Sequence, residues 1–227
     1  MGNEFVETVE IAGKPVEVWP ADQKLKTLGD RSIVATRFAD IADYHPGLAA
    51  ALFAAAADER RLRRYYRFSG GSKIYHLEQW GVPEVALIDA RARALFRRVL
   101  GSDTAVVDLS WANIYRRGDY AMAHSHDRST ASIVYFLDLG DDNPRDQIGG
   151  RFAFVDPRLP GCCKAEGERV TTPMLPRLVA GDMILFPSAI VHAVNPYDGK
   201  RPRLTLSWNI NKQAVAGPPL PFEGGGT

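Results

Sequence analysis

Residues 104–138 read TAVVDLSWANIYRRGDYAMAHSHDRSTASIVYFLD, and this stretch decides the fold. It contains short runs of β-branched and aromatic residues separated by Gly, Asp and Arg, a pattern that predicts strands joined by tight connections. Similar runs follow at residues 149–157 (GGRFAFVDP), 181–187 (GDMILFP), 189–194 (AIVHAV) and 201–210 (RPRLTLSWNI). Strands of this length and spacing are typical of a sandwich or barrel. We therefore expect residues 104–212 to form a double-stranded β-helix, the jelly roll also found in cupins.

The residues before this stretch predict helices and one hairpin. The hairpin is expected from Phe5 to Trp19, with its turn at residues 12–14. A helix is expected to start at His45-Pro46 and to continue through GLAAALFAAAADERRLRRYY (residues 47–66), because this segment is rich in helix formers. A second helix is predicted from Pro83 to a stop at Gly101. The predicted protein is mainly β, with N-terminal helices (residues 1–103) packed on the core and a flexible Pro- and Gly-rich tail (213–227).

The overall charge predicts a small or local partner. The chain has 28 Lys and Arg against 27 Asp and Glu, which leaves no net field that would attract nucleic acid or an anionic membrane. No apolar run approaches the roughly 18 residues of a bilayer span, and the N-terminus shows no basic segment followed by an apolar one. We expect a cytoplasmic protein that acts on a small molecule, an amino acid or a peptide. The sequence carries no signal for an oligomeric state.

Three of the five histidines, His124, His126 and His192, fall in the predicted β region. Residues two apart in an extended segment point to the same side, so His124 and His126 are predicted to converge, and His192 would join them from a distant strand. Three neutral imidazoles that leave open positions suit a non-haem iron oxygenase or a catalytic zinc site. A lone histidine is more often structural, which is how we interpret His45 and His76.

Arg203 provides a second, independent signal. In the strand RLTLSWN, Arg203, Thr205, Ser207 and Asn209 share one face. A strand that faces solvent would explain this alternation equally well. However, Arg203 follows His192 by eleven residues across a turn, which predicts that the two strands run antiparallel side by side. A guanidinium there can bind a carboxylate through two hydrogen bonds, with the Thr205 hydroxyl as a further donor.

These motifs resemble the 2-oxoglutarate/iron(II)-dependent oxygenase superfamily. The resemblance rests on YRRGDYAMAHSHD (115–127), GGRFAFVDP, GDMILFPSAIVH (181–192) and RPRLTLSWN, and it covers residues 111–211. It is nearest to small bacterial oxygenases that carry H-x-H where most members carry H-x-D. The resemblance implies that His124 and His192 bind iron(II), and that Arg203 with Thr205 binds the distal carboxylate of 2-oxoglutarate. It also implies a cosubstrate contact for Tyr115, and Asn113 is a further candidate because it lies two residues earlier on the same face.

Two positions depart from the wider superfamily. His126 occupies the usual carboxylate position, so the three metal ligands would carry no charge and the iron(II) complex with 2-oxoglutarate would be formally neutral. Asp127 is the alternative second ligand, but it can reach the metal only if the strand breaks. Ala121 stands where members similar to prolyl hydroxylases place another polar contact to the cosubstrate. That contact is either absent or supplied by a neighbour such as Tyr120.

The resemblance implies a dioxygenase that uses iron(II), 2-oxoglutarate and O2 and releases succinate. Hydroxylation of an unactivated C–H bond is the expected outcome, although desaturation or cyclisation would use the same residues. One alternative is a three-histidine, cupin-type dioxygenase without 2-oxoglutarate, which would not need Arg203 or Thr205. Another is a non-catalytic metal-binding jelly roll. We expect substrate selectivity to come from the N-terminal helices and the loop at 156–176, and we interpret the arginines of ERRLRRYYR as a solvated helix face.

Overall fold

The computed structural model describes residues 6–64, 70–141, 148–160, 162 and 173–217. Two α-helices lie in these ranges, α1 (His45–Ala57) and α2 (Pro83–Leu100), together with short 3-10 turns at Ile41–Asp43 and Leu77–Gln79. The described strands are β1 (Thr8–Ile11), β2 (Lys14–Glu17), β3 (Lys26–Leu28), β4 (Asp30–Arg37), β5 (Leu62–Arg64), β6 (Ser72–Tyr75), β7 (Val106–Tyr115), β8 (Ala121–His124), β9 (Ala131–Asp138), β10 (Phe152–Phe154), β11 (Asp182–Pro187), β12 (His192–Val194) and β13 (Arg203–Asn211).

Two antiparallel sheets face each other and form the predicted jelly roll. The large sheet has eight strands in the order β3-β4-β11-β9-β13-β7-β6-β5, and the small sheet has three in the order β10-β12-β8. Aromatic rings join the sheets: Phe152 lies 5.7 Å from Phe186 and 6.1 Å from Phe136, measured between ring centroids. The other face of the large sheet packs on the helices, where Leu206 and Trp208 share one hydrophobic cluster with residues of α1 and α2. The molecule is therefore layered as helices, large sheet and small sheet.

Strand β13 lies at the centre of this arrangement and is buried along its whole length. Its apolar residues Leu204, Leu206, Trp208 and Ile210 belong to the cluster on the helix side. Its polar residues alternate with them and therefore point toward the small sheet. Arg203 and Thr205 are 1% and 2% exposed, which excludes the interpretation of this polar face as a solvent face.

The N-terminal hairpin and α2 confirm the sequence predictions within the described residues. The hairpin turn uses Ala12 (φ 50°) and Gly13 (φ 76°), the two left-handed positions of a type I′ turn. Helix α2 begins at Pro83 and ends before Gly101, whose φ of 55° lets the chain leave the helix. Phe5, at the start of the predicted hairpin, lies outside the described residues.

The first helix is shorter than predicted. It ends at Ala57, and the prediction of helix beyond that residue is wrong up to Arg64; residues 65 and 66 lie outside the described ranges. The Asp58 carboxylate accepts hydrogen bonds from the backbone N–H and Nε of Arg60 (3.1 and 2.9 Å), a local turn that competes with the helix. The following residues Leu62–Arg64 form β5, which pairs with β6.

The large sheet also recruits strands that the sequence did not predict. Strand β4 lies between the predicted hairpin and the predicted first helix, where no strand was predicted, and it pairs with β11. Strands from both sides of residue 104 therefore share one sheet. The last ten residues of the predicted tail, 218–227, lie outside the described ranges. Among the helices that the structure describes, none has the length and apolarity needed to cross a bilayer.

Candidate active site

The three histidines of the β region meet at one point. His124 ends β8 and His192 begins β12, and the two are direct partners in the small sheet. His126 follows two residues after the end of β8. The ring centroids of His124 lie 4.4 Å from His192 and 5.0 Å from His126, and one potential ligand atom from each residue lies within 4.8 Å of the other two. Among the residues that the structure describes, these three histidines are the group of His, Cys, Asp or Glu side chains close enough together to hold one metal ion.

Hydrogen bonds orient two of these imidazoles. Nδ1 of His124 lies 2.7 Å from the Met122 carbonyl oxygen, and Nδ1 of His192 lies 3.0 Å from that of Ile190. A carbonyl oxygen only accepts, so each Nδ1 carries the proton and each Nε2 keeps a lone pair, as in histidine ligands of metals. Burial lowers the pKa of His124 to about 4 and that of His192 well below its ordinary value. Both rings are therefore neutral at pH 7.

His126 reaches the cluster from a loop and not from a strand. The predicted convergence of His124 and His126 is observed, although β8 ends at His124 and His126 lies two residues beyond it. The backbone N–H of His126 donates to the carbonyl oxygen of Ser188 (2.8 Å), which fixes the loop beside the start of β12. Asp127 is exposed and is not among the described residues that line the cavity around the cluster.

Arg203 lines the same cavity as the histidines. Its Nε and Nη1 atoms are buried and have no hydrogen-bond partner. Burial lowers its pKa, while the nearby Tyr115 and Tyr197 raise it; an arginine nevertheless stays protonated in proteins. A buried charge without a paired anion is costly, so this guanidinium marks a place where an anionic ligand would be strongly stabilised.

The other predicted cosubstrate residues surround Arg203. Tyr115 lies opposite Arg203, and Asn113 lies opposite Thr205, in the pairing of β7 with β13. The Asn113 side-chain amide donates to the hydroxyls of Thr205 (3.2 Å) and Ser207 (3.3 Å). Burial raises the pKa of Tyr115 to about 12, so its hydroxyl is neutral. All four predicted residues line the cavity. Ala121 lines it as well, whereas Tyr120 is not among the described lining residues.

Lys73 and Trp111 are among the lining residues that were not predicted from the sequence. The Lys73 ammonium lies 5.0 Å from the centre of the Trp111 ring, and that ring lies 5.7 Å from the His126 ring. Trp111 could have been found, because it precedes Asn113 and Tyr115 by the same two-residue step. Lys73 lies in a strand that the sequence did not predict. Neither Asp nor Glu occurs among the described residues that line the cavity.

The remaining two histidines lie outside this cavity. Nε2 of His45 hydrogen-bonds the buried Tyr135 hydroxyl (2.5 Å), and burial lowers the His45 pKa to about 4. His76 is exposed beside Glu78, with 3.3 Å between Nδ1 and Oε1. These contacts agree with the structural interpretation of both residues.

Comparisons with known proteins agree with this geometry. Residues 109–209 match the family model described as "Putative 2OG-Fe(II) oxygenase", a range that contains the three histidines and Arg203. The comparison with curated proteins gave no match.

Solved structures share the fold at low sequence identity. A Pseudomonas putida prolyl-4-hydroxylase is 21% identical, with 81% of this chain and 94% of that chain covered and a TM-score of 0.51. The epimerase SnoN, in complex with Fe3+, α-ketoglutarate and nogalamycin RO, is 15% identical over 86% of this chain and 88% of its own, with a TM-score of 0.62. A Trichoplax adhaerens prolyl hydroxylase bound to a peptide fragment is 12% identical over 79% and 84%, with a TM-score of 0.52.

The family match, the jelly-roll fold and the histidine cluster agree with one another. The matched family consists of enzymes whose cofactors are iron(II) and 2-oxoglutarate, with O2 as oxidant. Over residues 109–209 this chain is similar to the 2OG-Fe(II) oxygenases, and it shares their fold.

Proposed function

We propose that this enzyme hydroxylates an unactivated C–H bond of a small molecule, an amino acid or a peptide, with decarboxylation of 2-oxoglutarate to succinate. In this proposal His124, His126 and His192 hold iron(II), and Arg203 with Thr205 binds the distal carboxylate of 2-oxoglutarate. The observation that carries the proposal is the buried Arg203 guanidinium, whose Nε and Nη1 lack partners in the cavity that the three imidazoles also line.

The donor set suits this metal and this cosubstrate. Three neutral imidazole nitrogens on one side of an iron(II) ion leave positions for a bidentate 2-oxo acid and for O2. When both are bound, the iron and the 2-oxo acid supply the oxidation of the substrate C–H bond, which is chemistry of the cofactors. The protein contributes binding, orientation and exclusion of water.

The protein's own residues explain how the distal carboxylate would be bound. The fork of Arg203 matches a carboxylate with two parallel hydrogen bonds, which are stronger because the site is buried. The Asn113 amide donates to the Thr205 hydroxyl oxygen, so the proton of that hydroxyl is left to donate to the ligand. We propose Tyr115 and Asn113 as the residues that orient this pocket, with the neutral Tyr115 hydroxyl as a further donor.

The three-histidine set also favours one rival, a cupin-type dioxygenase that does not use 2-oxoglutarate. That reading gives no role to a buried Arg203 beside Thr205. It predicts O2 uptake that is independent of 2-oxoglutarate, and unchanged activity when Arg203 is replaced.

The proposed substrate is a small molecule, an amino acid or a peptide. Solved structures with this fold include one that holds a peptide fragment and one that holds nogalamycin RO, which supports a peptide or a small molecule as the substrate. The cytoplasmic location expected from the sequence remains a prediction.

A turnover screen tests the proposal. Protein reconstituted with iron(II) is incubated with 2-oxoglutarate and a panel of amino acids, peptides and small metabolites, and succinate is quantified. We expect formation of succinate that depends on iron and is stimulated by some panel members. It should be lost in Arg203→Ala and kept in Arg201→Ala, an exposed arginine paired with Asp141. O2 consumption without any requirement for 2-oxoglutarate would overturn the proposal in favour of the cupin-type rival.

A further inference from the structure

His126 is held in the cluster by different means from the other two histidines. His124 and His192 lie in β8 and β12 and are direct partners in the small sheet, so the pairing of two strands positions them. His126 lies beyond the end of β8, in the segment 125–130 that joins β8 to β9 and that we call the metal loop. The position of the third imidazole therefore depends on what anchors this loop.

One anchor of the metal loop is an ion pair with β7. Nε of Arg128 donates to both carboxylate oxygens of Asp108 (3.2 and 3.1 Å), and the Ser129 hydroxyl donates to the same carboxylate (3.4 Å). The side chains of Arg128 and Asp108 are 14% and 10% exposed. Breaking a largely buried pair by removing one partner is costly, so this contact restricts the position of the loop.

Asp108 can make this contact because it lies in a β-bulge. Its neighbours Leu109 and Val107 lie opposite the consecutive residues 209 and 210 of β13, so Asp108 is the extra residue in this pair of strands. A bulge releases one residue from the regular alternation of a strand and re-aims its side chain. The Asp108 carboxylate consequently contacts the metal loop.

The end of β13 and the chain that follows it complete the anchoring. Nη2 of Arg128 donates to the carbonyl oxygens of Gly217 (2.8 Å) and Val215 (3.4 Å). The Asn211 side chain accepts hydrogen bonds from the backbone N–H of Thr130 (2.7 Å) and from its hydroxyl (3.0 Å). The metal loop is therefore tied to β7, to the end of β13 and to the segment after it.

We propose that Asp108 is a positioning residue for the metal site, which acts through Arg128 to hold His126 where its imidazole joins the other two. This inference rests on the proposed function and deepens it, because the anchored loop would determine that His126 and not Asp127 faces the cavity. A metal ligand must be placed to within roughly 0.2 Å, and residues that orient ligands change metal affinity by about 10- to 100-fold when they are mutated. Asp108 is outside the described lining of the cavity, so its effect on the metal must pass through the loop.

Cobalt(II) binding to metal-free protein tests this inference. Cobalt(II) binds more tightly than iron(II) to a given set of ligands, and its visible absorption changes with their number and arrangement. We expect Asp108→Asn, which keeps the shape and removes the charge, to raise the cobalt(II) dissociation constant about tenfold. Its absorption spectrum should shift toward that of His126→Ala. Arg128→Lys keeps the charge but lacks the planar fork that reaches both Asp108 and the carbonyls after β13, and it should weaken binding in the same direction.

A double-mutant cycle separates the positioning of His126 from a general loss of structure. Without the His126 imidazole the ion pair has no ligand to position, so Asp108→Asn should have no further effect on cobalt(II) affinity in a His126→Ala background. The same cycle with Arg128→Lys gives the answer if Asp108→Asn does not fold. The control is Asp182→Asn, which removes a buried carboxylate paired with Arg37 (2.7 Å) between β11 and β4. It should lower the free energy of unfolding in urea and leave the cobalt(II) affinity unchanged.

Two results would overturn the inference and leave the proposed function standing. One is a wild-type cobalt(II) affinity and spectrum in both Asp108→Asn and Arg128→Lys. The other is an equal loss of affinity from these substitutions in the wild-type and His126→Ala backgrounds, which would indicate a general effect on the fold. If instead His126→Ala binds cobalt(II) as tightly as wild type does, the three-histidine site of the proposed function is wrong, and the inference fails with it.

Discussion

Arg203 and Tyr115 lie directly opposite each other on β13 and β7, with the guanidinium carbon 5.5 Å from the centre of the tyrosine ring. Burial raises the Tyr115 pKa to about 12, so the ring cannot act as an anion that balances the arginine at neutral pH. Tyr115 therefore positions the guanidinium without neutralising it. The charge remains available for a carboxylate that enters the cavity.

Gly71 tests how closely the Tyr115 ring must be held. A Cβ atom at residue 71 would lie 2.6 Å from Cε1 of Tyr115, so Gly71→Ala must displace a buried ring. We expect a loss of about 1–3 kcal/mol in the free energy of unfolding, as for other overpacked sites. Calorimetry should also show weaker 2-oxoglutarate binding with unchanged iron binding. Gly13→Ala is the control, because an alanine at the φ of 76° that Gly13 adopts would strain the backbone at a site far from the cavity. Equal 2-oxoglutarate affinity in both variants would contradict the role given to Tyr115.

Thr205 tests the second donor of the proposed carboxylate pocket. Thr205→Val keeps the shape but removes the hydroxyl, and a hydrogen bond to a charged group contributes about 1.5–3 kcal/mol. We expect the dissociation constant of 2-oxoglutarate to rise about tenfold or more, with iron binding retained. Thr36→Val is the matched control. The buried hydroxyl of Thr36, a residue of β4, donates to the Lys24 carbonyl oxygen and lies outside the cavity. An unchanged affinity in Thr205→Val would remove Thr205 from the site.

The second metal ligand is tested by His126 and its neighbour. Because the His126 ring belongs to the cluster and Asp127 is exposed, His126→Ala should lose most iron affinity and Asp127→Ala should keep it. His126→Asp restores the commoner ligand set of the superfamily and should retain iron better than His126→Ala. Equilibrium dialysis against iron(II) gives the stoichiometry of each variant. Loss of iron in Asp127→Ala with normal binding in His126→Ala would replace the three-histidine site by one that uses Asp127.

Asp156 provides a test by pH. Its carboxylate accepts hydrogen bonds from Arg158 and from the backbone N–H of Val191 (2.9 Å), which secures the start of β12, and these bonds hold its pKa well below the ordinary value. A lowered pKa in the folded state stabilises the protein above the unfolded pKa of about 4, and this stability is lost as the pH falls further. Asp156→Asn should therefore cost about 2 kcal/mol at pH 7.

Urea unfolding of metal-free protein between pH 7 and acid pH measures this effect. The difference between wild type and Asp156→Asn should be constant above about pH 5 and should shrink below it. Asp58→Asn is the matched control, because Asp58 pairs with Arg60 at the same spacing but on the surface, where ion pairs contribute little. A difference for Asp156→Asn that does not change with pH would rule out the carboxylate charge as its cause.

The sequence predicted the parts of the fold that depend on local pattern. Helix α2, the hairpin and the core strands follow from periodicity, caps and turn residues, and the alternation of β13 placed Arg203 and Thr205 on one face. Strand β4 escaped prediction because its pairing with β11 joins residues far apart in sequence. The segment around Arg63 has helix-forming composition, but the turn at Asp58 and the pairing with β6 decide its structure.

The candidate site, too, combines features that follow from local sequence pattern with features that depend on long-range strand pairing. The two-residue spacing predicted that His124 and His126 converge, whereas the place of His192 opposite His124 depends on the pairing of β12 with β8. Lys73 carries no local signal at all. Its place in the cavity depends on the register of β6 against β7, which is a property of the assembled sheet.

The most direct test of the account is anaerobic equilibrium dialysis of iron(II) and 2-oxoglutarate together, on wild type, His192→Ala and Arg203→Ala. Wild type should bind both in equal amounts, and His192→Ala should lose iron and most 2-oxoglutarate, because chelation by the metal is lost. Arg203→Ala should keep iron and bind 2-oxoglutarate more weakly by roughly 2–5 kcal/mol, the cost of removing one partner of a buried charge pair. If Arg203→Ala binds 2-oxoglutarate as wild type does, or if His192→Ala keeps its iron, the proposed site is wrong.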